Sequence, residues 1–223
     1  MEQSTPSTRD YWFDEDTDKA MEGEHLFVWR TMLGMVEDDL DGARVLDIGC
    51  STGGFLRLLV DELGIGAGCG FDPAAGPVAI ARERRDGRPL EYEAATEVPP
   101  QWSGFDVAFS HEVLFVLPDL ASHAAQVWRS LRPGGSYYAV FGTHDRNPSM
   151  ADWHASVREQ LSLPPVRSLE DVASAFTGAG FEAHLGRMRF GLLPLSLMGD
   201  TDLGTVLDYY DRHKVIFRFV RGS

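Results

Sequence analysis

VLDIGCSTGGF, Val45 to Phe55, is the stretch on which the reading of this 223-residue chain turns. An apolar segment carrying Asp47 runs into a turn with glycines at 49, 53 and 54, and FLRLLVDEL continues from it as a helix. A tight strand-to-helix turn favours residues without bulky Cβ groups, because the backbone there comes close to a ligand. The helix beginning near Ser51–Gly54 leaves its first N–H groups unpaired, and those groups with the helix dipole favour an anion. Two anions meet that description: the pyrophosphate of a dinucleotide, and the carboxylate of a cofactor that bears an amino acid.

The dinucleotide pattern GxGxxG needs glycines at 49, 51 and 54, and position 51 is Ser. The pattern is broken where the backbone approaches pyrophosphate most closely. Asp47, just ahead of the turn, has no role beside a pyrophosphate and suits an ammonium group. An anion-binding helix start beside a carboxylate is what the α-amino acid part of S-adenosylmethionine requires. Asp72 closes the next apolar segment, GAGCGFD. A carboxylate there can accept hydrogen bonds from both ribose hydroxyls; the alternative is a turn residue ahead of Pro73.

The rest of the chain alternates helical and strand patterns. Periodicity predicts a helix from about Asp16 to Leu40, with Leu26, Trp29, Leu33, Val36 and Leu40 on one face and DGA at 41–43 ending it. Strands are expected at 45–48, 66–72, 90–95, 105–110, 136–142, 181–190 and 214–220. Helices are expected at 54–63, with Phe55, Leu58, Leu59 and Leu63 on one side, at 77–84, and at 151–161. Asp119 caps a further helix that Pro133-Gly134-Gly135 stops, and Ser168 with Asp171 opens another as a capping box. Such alternation implies a mostly parallel sheet whose ligands bind outside the carboxyl ends of the strands. Without repeats or linkers, residues 1–223 read as one domain: an N-terminal lid and helical segment at 1–42, a cofactor-binding core at 43–142, and acceptor-side elements with the last strands at 143–223.

Four of these segments, in this order, resemble the class I S-adenosylmethionine-dependent methyltransferases, especially the small stand-alone ones that act on metabolites and natural products. VLDIGCSTGGF resembles their first motif, with Asp47, Gly49 and Gly53 in register and Ser51 in place of the commoner Gly. GFDP resembles the second, supplying Asp72 and Pro73. FDVAFSHEVLFVLPD resembles the segment at the fourth strand, and LRPGGSYYAVFG the turn and fifth strand. The resemblance implies an α/β, three-layer Rossmann-like methyltransferase fold: a seven-stranded, mostly parallel sheet in the order 3-2-1-4-5-7-6, its seventh strand antiparallel, plus the N-terminal helix. It implies S-adenosylmethionine as cofactor and methyl transfer to a small-molecule acceptor, through an O, N or S nucleophile, by in-line displacement. The alternative is a non-catalytic protein that binds the cofactor or its product as a regulator or partner subunit. Two positions depart from the family. Ala94 stands where an Asp would contact the adenine amino group, which passes that contact to backbone near Ala95, to Thr96 or to Glu97. Phe115-Val116 stands where many relatives carry Glu-His, making a drier wall.

Methyl transfer asks the protein mainly to align the nucleophile, exclude water and, for some acceptors, remove a proton. The acceptor is expected above the ends of the fourth and fifth strands, near Ser110, His111 and Glu112 and near His144 and Asp145. A His near its ordinary pKa suits deprotonation of a phenol, hydroxyl or thiol, which makes His111 and His144 the catalytic candidates. Otherwise His111, like Ser110, is a wall of the cofactor pocket. Glu112 can orient such a His or neutralise an amine substrate. Phe115, Trp153, and Tyr11 and Trp12 of the YWF run are candidate contacts to the acceptor; YWF either closes as a lid or packs on the sheet edge. GLLPLSLMG, residues 191–199, either lines the pocket for an apolar acceptor or forms a homodimer surface or ordinary core. His25, His123, His154, His184 and His213 belong to no constellation and read as structural or solvent-facing.

Bulk composition narrows the partners. Lys plus Arg number 20 against 34 Asp plus Glu, a formal charge of −14, which argues against nucleic acid. Cys50 and Cys69 lack metal-ligand spacing and read as buried free thiols, in keeping with a reducing, cytoplasmic setting; no metal site is expected. The polar N-terminus is unlike a signal peptide, and no run approaches the ~20 apolar residues of a membrane helix.

Overall fold

The computed structural model describes residues 15–197 and 201–222. In chain order the elements are α1 (Glu15–Leu33), β1 (Arg44–Ile48), α2 (Gly54–Leu63), β2 (Ala67–Asp72), α3 (Ala75–Arg84), β3 (Leu90–Ala94), β4 (Phe105–His111), α4 (Leu120–Ser130), β5 (Leu131–Gly142), α5 (Pro148–Leu161), α6 (Leu169–Gly178), β6 (Phe181–Arg187), a 3₁₀ turn (Leu195–Leu197), α7 (Leu203–Leu207), a π-helical turn (Asp208–His213) and β7 (Lys214–Arg221). The strands form one sheet in the order β3-β2-β1-β4-β5-β7-β6. β7 runs antiparallel to both neighbours and the other pairings are parallel, as the family resemblance implies.

Side chains alternate across a strand, so each face of the sheet builds its own core. Val45, Val107, Phe109, Tyr138 and Val140 face Val28 and Met32 of α1, Phe55, Leu56 and Leu59 of α2, and Val78 and Ala81 of α3. Leu46, Ala108, Tyr137, Ala139 and Phe217 face Leu120, Ala124 and Val127 of α4 and Val172 and Phe176 of α6. Three layers result. Asp119 caps α4 by accepting from the Ser122 amide, and the Ser168–Asp171 capping box opens α6, both as the sequence predicts.

Several boundaries differ from expectation. α1 stops at Leu33, seven residues short, because Gly34 follows and the Met35 and Val36 amides bond back three residues to Met32 and Leu33. Val36 and Leu40 still pack inward, from a loop held where the Tyr138 hydroxyl meets the Glu37 amide and the Asp38 carboxylate. In α2, Phe55, Leu58 and Leu59 are buried as expected, Leu56 joins them, and Leu63 alone of the expected face is exposed. α4 ends at Ser130, before Pro133-Gly134-Gly135, which instead forms an irregularity within β5, where pairing to β4 shifts register between Phe105 and Val107. β6 ends at Arg187 rather than 190, and the short helical turns between 195 and 213 carry no period that the sequence reading recognised. Among the described residues no helix is long and apolar enough to cross a membrane.

Candidate functional site

β1 lies between β2 and β4, so the direction of winding reverses at its carboxyl end and leaves a crevice there. Gly49 (φ 79°), Ser51 (φ 44°) and Gly53 (φ 76°) all adopt left-handed backbone at this turn. A Cβ on Gly49 would lie 2.5 Å from Val113 Cγ2, and one on Gly53 would lie 2.5 Å from the Tyr92 hydroxyl. Both glycines are therefore demanded by torsion and by space. The Gly49 and Cys50 amides donate to the Phe71 carbonyl at 2.9 and 3.1 Å, tying the turn to β2. Gly53 gives α2 no side-chain cap, so its first amides keep their affinity for an anion.

Two carboxyl groups frame the turn. Asp47 is 5% exposed. Burial first, then the Asp72 carboxylate, push it up to about 8, so a cation is the partner that would restore its charge at neutral pH. Asp72, at the tip of β2, accepts from the Ser51 amide at 3.2 Å and the Ala74 amide at 2.8 Å. Burial raises it, and those two amide bonds work against the rise. Around the turn lies an open cleft whose other walls include His25, Trp29, Met32, Phe109 and His111. A buried carboxyl calling for a cation, an uncapped helix start calling for an anion, and a second carboxyl one strand away fit the two ends and the sugar of S-adenosylmethionine.

At the tip of β4 the construction changes. His111 Nε2 is buried without a hydrogen-bond partner among the described residues, and its ring meets His25 edge-on at 4.8 Å. Burial, then the charges of Lys214 and His25, hold His111 well below the usual histidine range. Glu112 adopts φ 56°, rare for a residue with a side chain. Its carboxylate accepts from the Gly142 amide at 3.0 Å and the Tyr209 hydroxyl at 2.8 Å, and pairs with the buried Lys214 ammonium. Burial would raise Glu112; Lys214 and Tyr209 outweigh it and bring it below the ordinary value. Beyond, Phe115 stacks obliquely on His144 at 4.5 Å, and Trp153 meets His144 edge-on at 5.8 Å. Burial, ahead of its charged neighbours, lowers His144.

The expected residues thus fall into two groups. Asp47, Gly49, Ser51, Ser110 and His111 line the glycine cleft. Gly53 and Asp72 do not line it: Gly53 precedes α2 in the same turn, and Asp72, followed by the exposed Pro73, is joined to the turn through the Ser51 amide. Ser110 Oγ turns away to the Tyr137 hydroxyl at 2.6 Å, so its backbone is what the cleft meets. The Ala95 amide donates to the Asp72 carbonyl at 3.0 Å, and Thr96 is exposed beside it. Phe115 and His144 line a separate cavity, with Trp153 against their rings, so the two candidate histidines do not meet in one pocket. Tyr11 and Trp12 lie outside the described residues, as do Met198 and Gly199. Leu192 is 98% exposed, whereas Leu193 packs on the core. The sequence reading passed over His25, Trp29 and Met32, which reach the cleft from α1; their i, i+4, i+7 spacing was the available signal. Lys214, read only as the start of a strand, offered none.

Comparison with known proteins adds independent findings. A methyltransferase-domain family model matches residues 16–185. The chain is 32% identical over 133 residues to trans-aconitate 2-methyltransferase of Methylobacterium nodulans, covering 60% of this chain and 50% of that protein. It is 30% identical over 162 residues to 2-phytyl-1,4-naphtoquinone methyltransferase of Thermosynechococcus vestitus, covering 70% of each. The chain therefore spans only half the length of the first of these relatives. In fold it is similar to a putative methyltransferase solved with the Haloferax volcanii Trm112 activator, with TM-score 0.81, 23% identity, and coverage of 99% of this chain and 100% of that one. A Mesorhizobium loti S-adenosylmethionine-dependent methyltransferase superposes with TM-score 0.68 at 21% identity, over 87% of this chain and 98% of that one.

Proposed function

We propose that this chain, which belongs to the methyltransferase-domain family, is an S-adenosylmethionine-dependent methyltransferase that methylates an O, N or S nucleophile of a small-molecule acceptor by in-line displacement. Bound S-adenosylmethionine supplies the activated methyl group. In this reading the α2 amides and the turn of Gly49, Ser51 and Gly53 receive the methionyl carboxylate, and Asp47 receives the ammonium. Asp72, with the Pro73 loop, holds the ribose, while Ala95 and Thr96 border the adenine. Ser110 and His111 wall the methionine end.

His111 keeps a neutral ring at ordinary pH, so its unpartnered Nε2 can present a lone pair to an acceptor proton. A base held that low is weak, so its main task is to align a hydroxyl, thiol or amine. His144 is the second candidate base, for an acceptor that extends past Phe115 toward Trp153. Glu112, engaged by Lys214 and Tyr209, stiffens the strand tip against which the acceptor packs. The aromatic walls, Trp29 and Phe109, exclude water from the reacting atoms. A small-molecule acceptor is favoured by the organic molecules in the relatives' names.

The observation that carries the reading is the buried Asp47 carboxyl beside an uncapped helix start in a turn that a Cβ would fill. The test is incubation with methyl-labelled S-adenosylmethionine and fractionated small molecules. Label is expected in the small-molecule fraction, with S-adenosylhomocysteine released in equal amount. Tight binding of S-adenosylhomocysteine without any transfer would favour the non-catalytic alternative, and label confined to macromolecules would overturn the acceptor class.

A further inference from the structure

β4 ends in an inversion of its pleat. Val107 and Phe109 face one core and Ala108 the other, and His111 continues the first series into the cleft. A residue at 112 that kept this alternation would point to the opposite core. Glu112 instead turns left-handed, with φ 56°, while its amide still donates to the Val140 carbonyl at 2.8 Å. Its carboxylate thereby reaches the face on which His111 stands. Groups from β5, the π-helical turn and β7 converge on one of its oxygens. The Gly142 amide donates at 3.0 Å, the Tyr209 hydroxyl donates at 2.8 Å, and the Lys214 ammonium pairs with the same atom.

Each partner is placed for this contact. Gly142 follows Tyr138 and Val140 on the cleft face, and a Cβ there would lie 2.7 Å from the Tyr209 ring. Only a glycine lets that ring settle on the strand tip. Lys214 shares the face of Ile216 and is 2% exposed. Its Nζ lies 3.1 Å from the Tyr209 hydroxyl and 4.9 Å from the centre of the Tyr209 ring. The π-helical turn that carries Tyr209 is tied to the same strand tip, where the Thr143 amide donates to the His213 carbonyl at 2.9 Å. Such turns recur at functional sites.

Stability is a poor reason for this arrangement. A buried ion pair stabilises no better than well-packed apolar side chains of the same volume. A left-handed residue with a side chain is strained and persists only where its surroundings hold it. What the strain provides is a sharp end to β4 directly after His111. His111 Nε2 makes no hydrogen bond among the described residues, which leaves this backbone turn and the edge-on His25 ring to direct it.

We propose that Glu112, Lys214 and Tyr209 are positioning residues for His111: they lock the left-handed turn after β4, and the locked turn holds the imidazole in the cleft wall, facing the acceptor. The acceptor's part in this rests on the methyl-transfer reading, and the lock does not. Lys214 also disfavours a proton on the ring, an effect second only to burial.

NMR on the full chain with isotope-labelled histidine reads the ring positions, with His25→Gln and His111→Gln assigning the signals. The parent is expected to show a nuclear Overhauser contact between the His25 and His111 rings. Tyr209→Phe removes one hydroxyl from the lock, and Lys214→Met removes its cation. Both should shift the His111 signals and lose that contact, while S-adenosylhomocysteine affinity stays within about twofold of the parent. Glu112→Gln, whose amide oxygen still accepts from Gly142, Tyr209 and Lys214, should keep the contact. If Lys214→Met unfolds, Tyr209→Phe carries the same test. Unmoved His111 signals with the His25 contact intact in either folded variant would overturn the proposal. A parent that does not bind S-adenosylhomocysteine would overturn the methyl-transfer reading instead, and the ring signals of the same samples still decide the lock.

Discussion

The tips of β1 and β2 and the tips of β4 and β5 are built on opposite plans. At the first pair the ligand-facing surface is mostly backbone, shaped by three left-handed residues within five positions and tied to β2 by amide bonds. At the second pair it is side chains brought from far along the chain. Glu112 meets Tyr209 and Lys214 about a hundred residues later, and His144 lies between Phe115 and Trp153. A site made of torsion angles tolerates changes in its neighbours and almost none in its glycines. A site made of converging side chains depends on the whole sheet having assembled, and it fails when one partner is removed.

The largest effect tests the second plan. Lys214→Met leaves the Glu112 carboxylate buried against Tyr209 with its cation gone. Breaking a buried pair from one side typically costs ~3–5 kcal/mol. Urea denaturation is expected to show a loss of that order at pH 7, with S-adenosylhomocysteine affinity nearly unchanged while the chain stays folded. Adding Glu112→Gln should return most of the stability. A loss below ~1 kcal/mol would mean that the pair is wet, and the contrast between the two regions would weaken.

That contrast also explains what could be read from sequence. Gly49, Ser51, Gly53 and Asp72 sit in two short segments, and the roles proposed for them follow from local turn chemistry; α2 has the bounds that its periodicity predicts. The strand order came from the family resemblance and not from the pattern itself. Val36 and Leu40 continue a helical period yet pack from a loop, because Gly34 ends the helix and the Tyr138 contacts to Glu37 and Asp38 take over. Burial was legible there and conformation was not. His154 read as structural, yet it lines a cavity with Arg167, which sits thirteen residues away across the Pro164-Pro165 break. Lys214 carried no local sign of its partner. Pairings of this kind are settled only by how α5, α6 and β7 come to rest on β5.

A further prediction belongs to the first plan and is visible in pH. Asp47 titrates at about 8 in the folded protein, against an ordinary value of 3.8. The folded chain holds this proton more tightly than the unfolded chain, so the stabilisation is complete below about pH 4 and is lost as pH rises toward 8. Each pH unit in that window removes up to about 1.4 kcal/mol from this group. Asp47→Asn should flatten that part of the stability profile, make the protein more stable than the parent at pH 8, and abolish measurable S-adenosylmethionine binding. Guanidinium melts across pH 4–8, with calorimetry at pH 7.5, check both halves. A parallel profile in the variant would mean that Asp47 ionises freely, and the call for a cation in the cleft would disappear.

The smallest effect is the sharpest test of a site made of backbone. Ser51 holds φ 44° with a side chain, a conformation that costs an ordinary residue ~1–2 kcal/mol. Its contribution to the turn is its amide, which donates to Asp72, and glycine supplies the same amide. Ser51→Gly relieves the strain but gives the unfolded chain ~0.5–1 kcal/mol of extra conformational freedom. The net change should therefore lie between zero and about +1.5 kcal/mol of stability, with S-adenosylhomocysteine affinity within about twofold of the parent. Thermal melts and calorimetry on the one variant measure both. A tenfold loss of affinity would assign the Ser51 hydroxyl a direct contact with the ligand, and the glycine turn would then share the side-chain logic of the β4 and β5 tips.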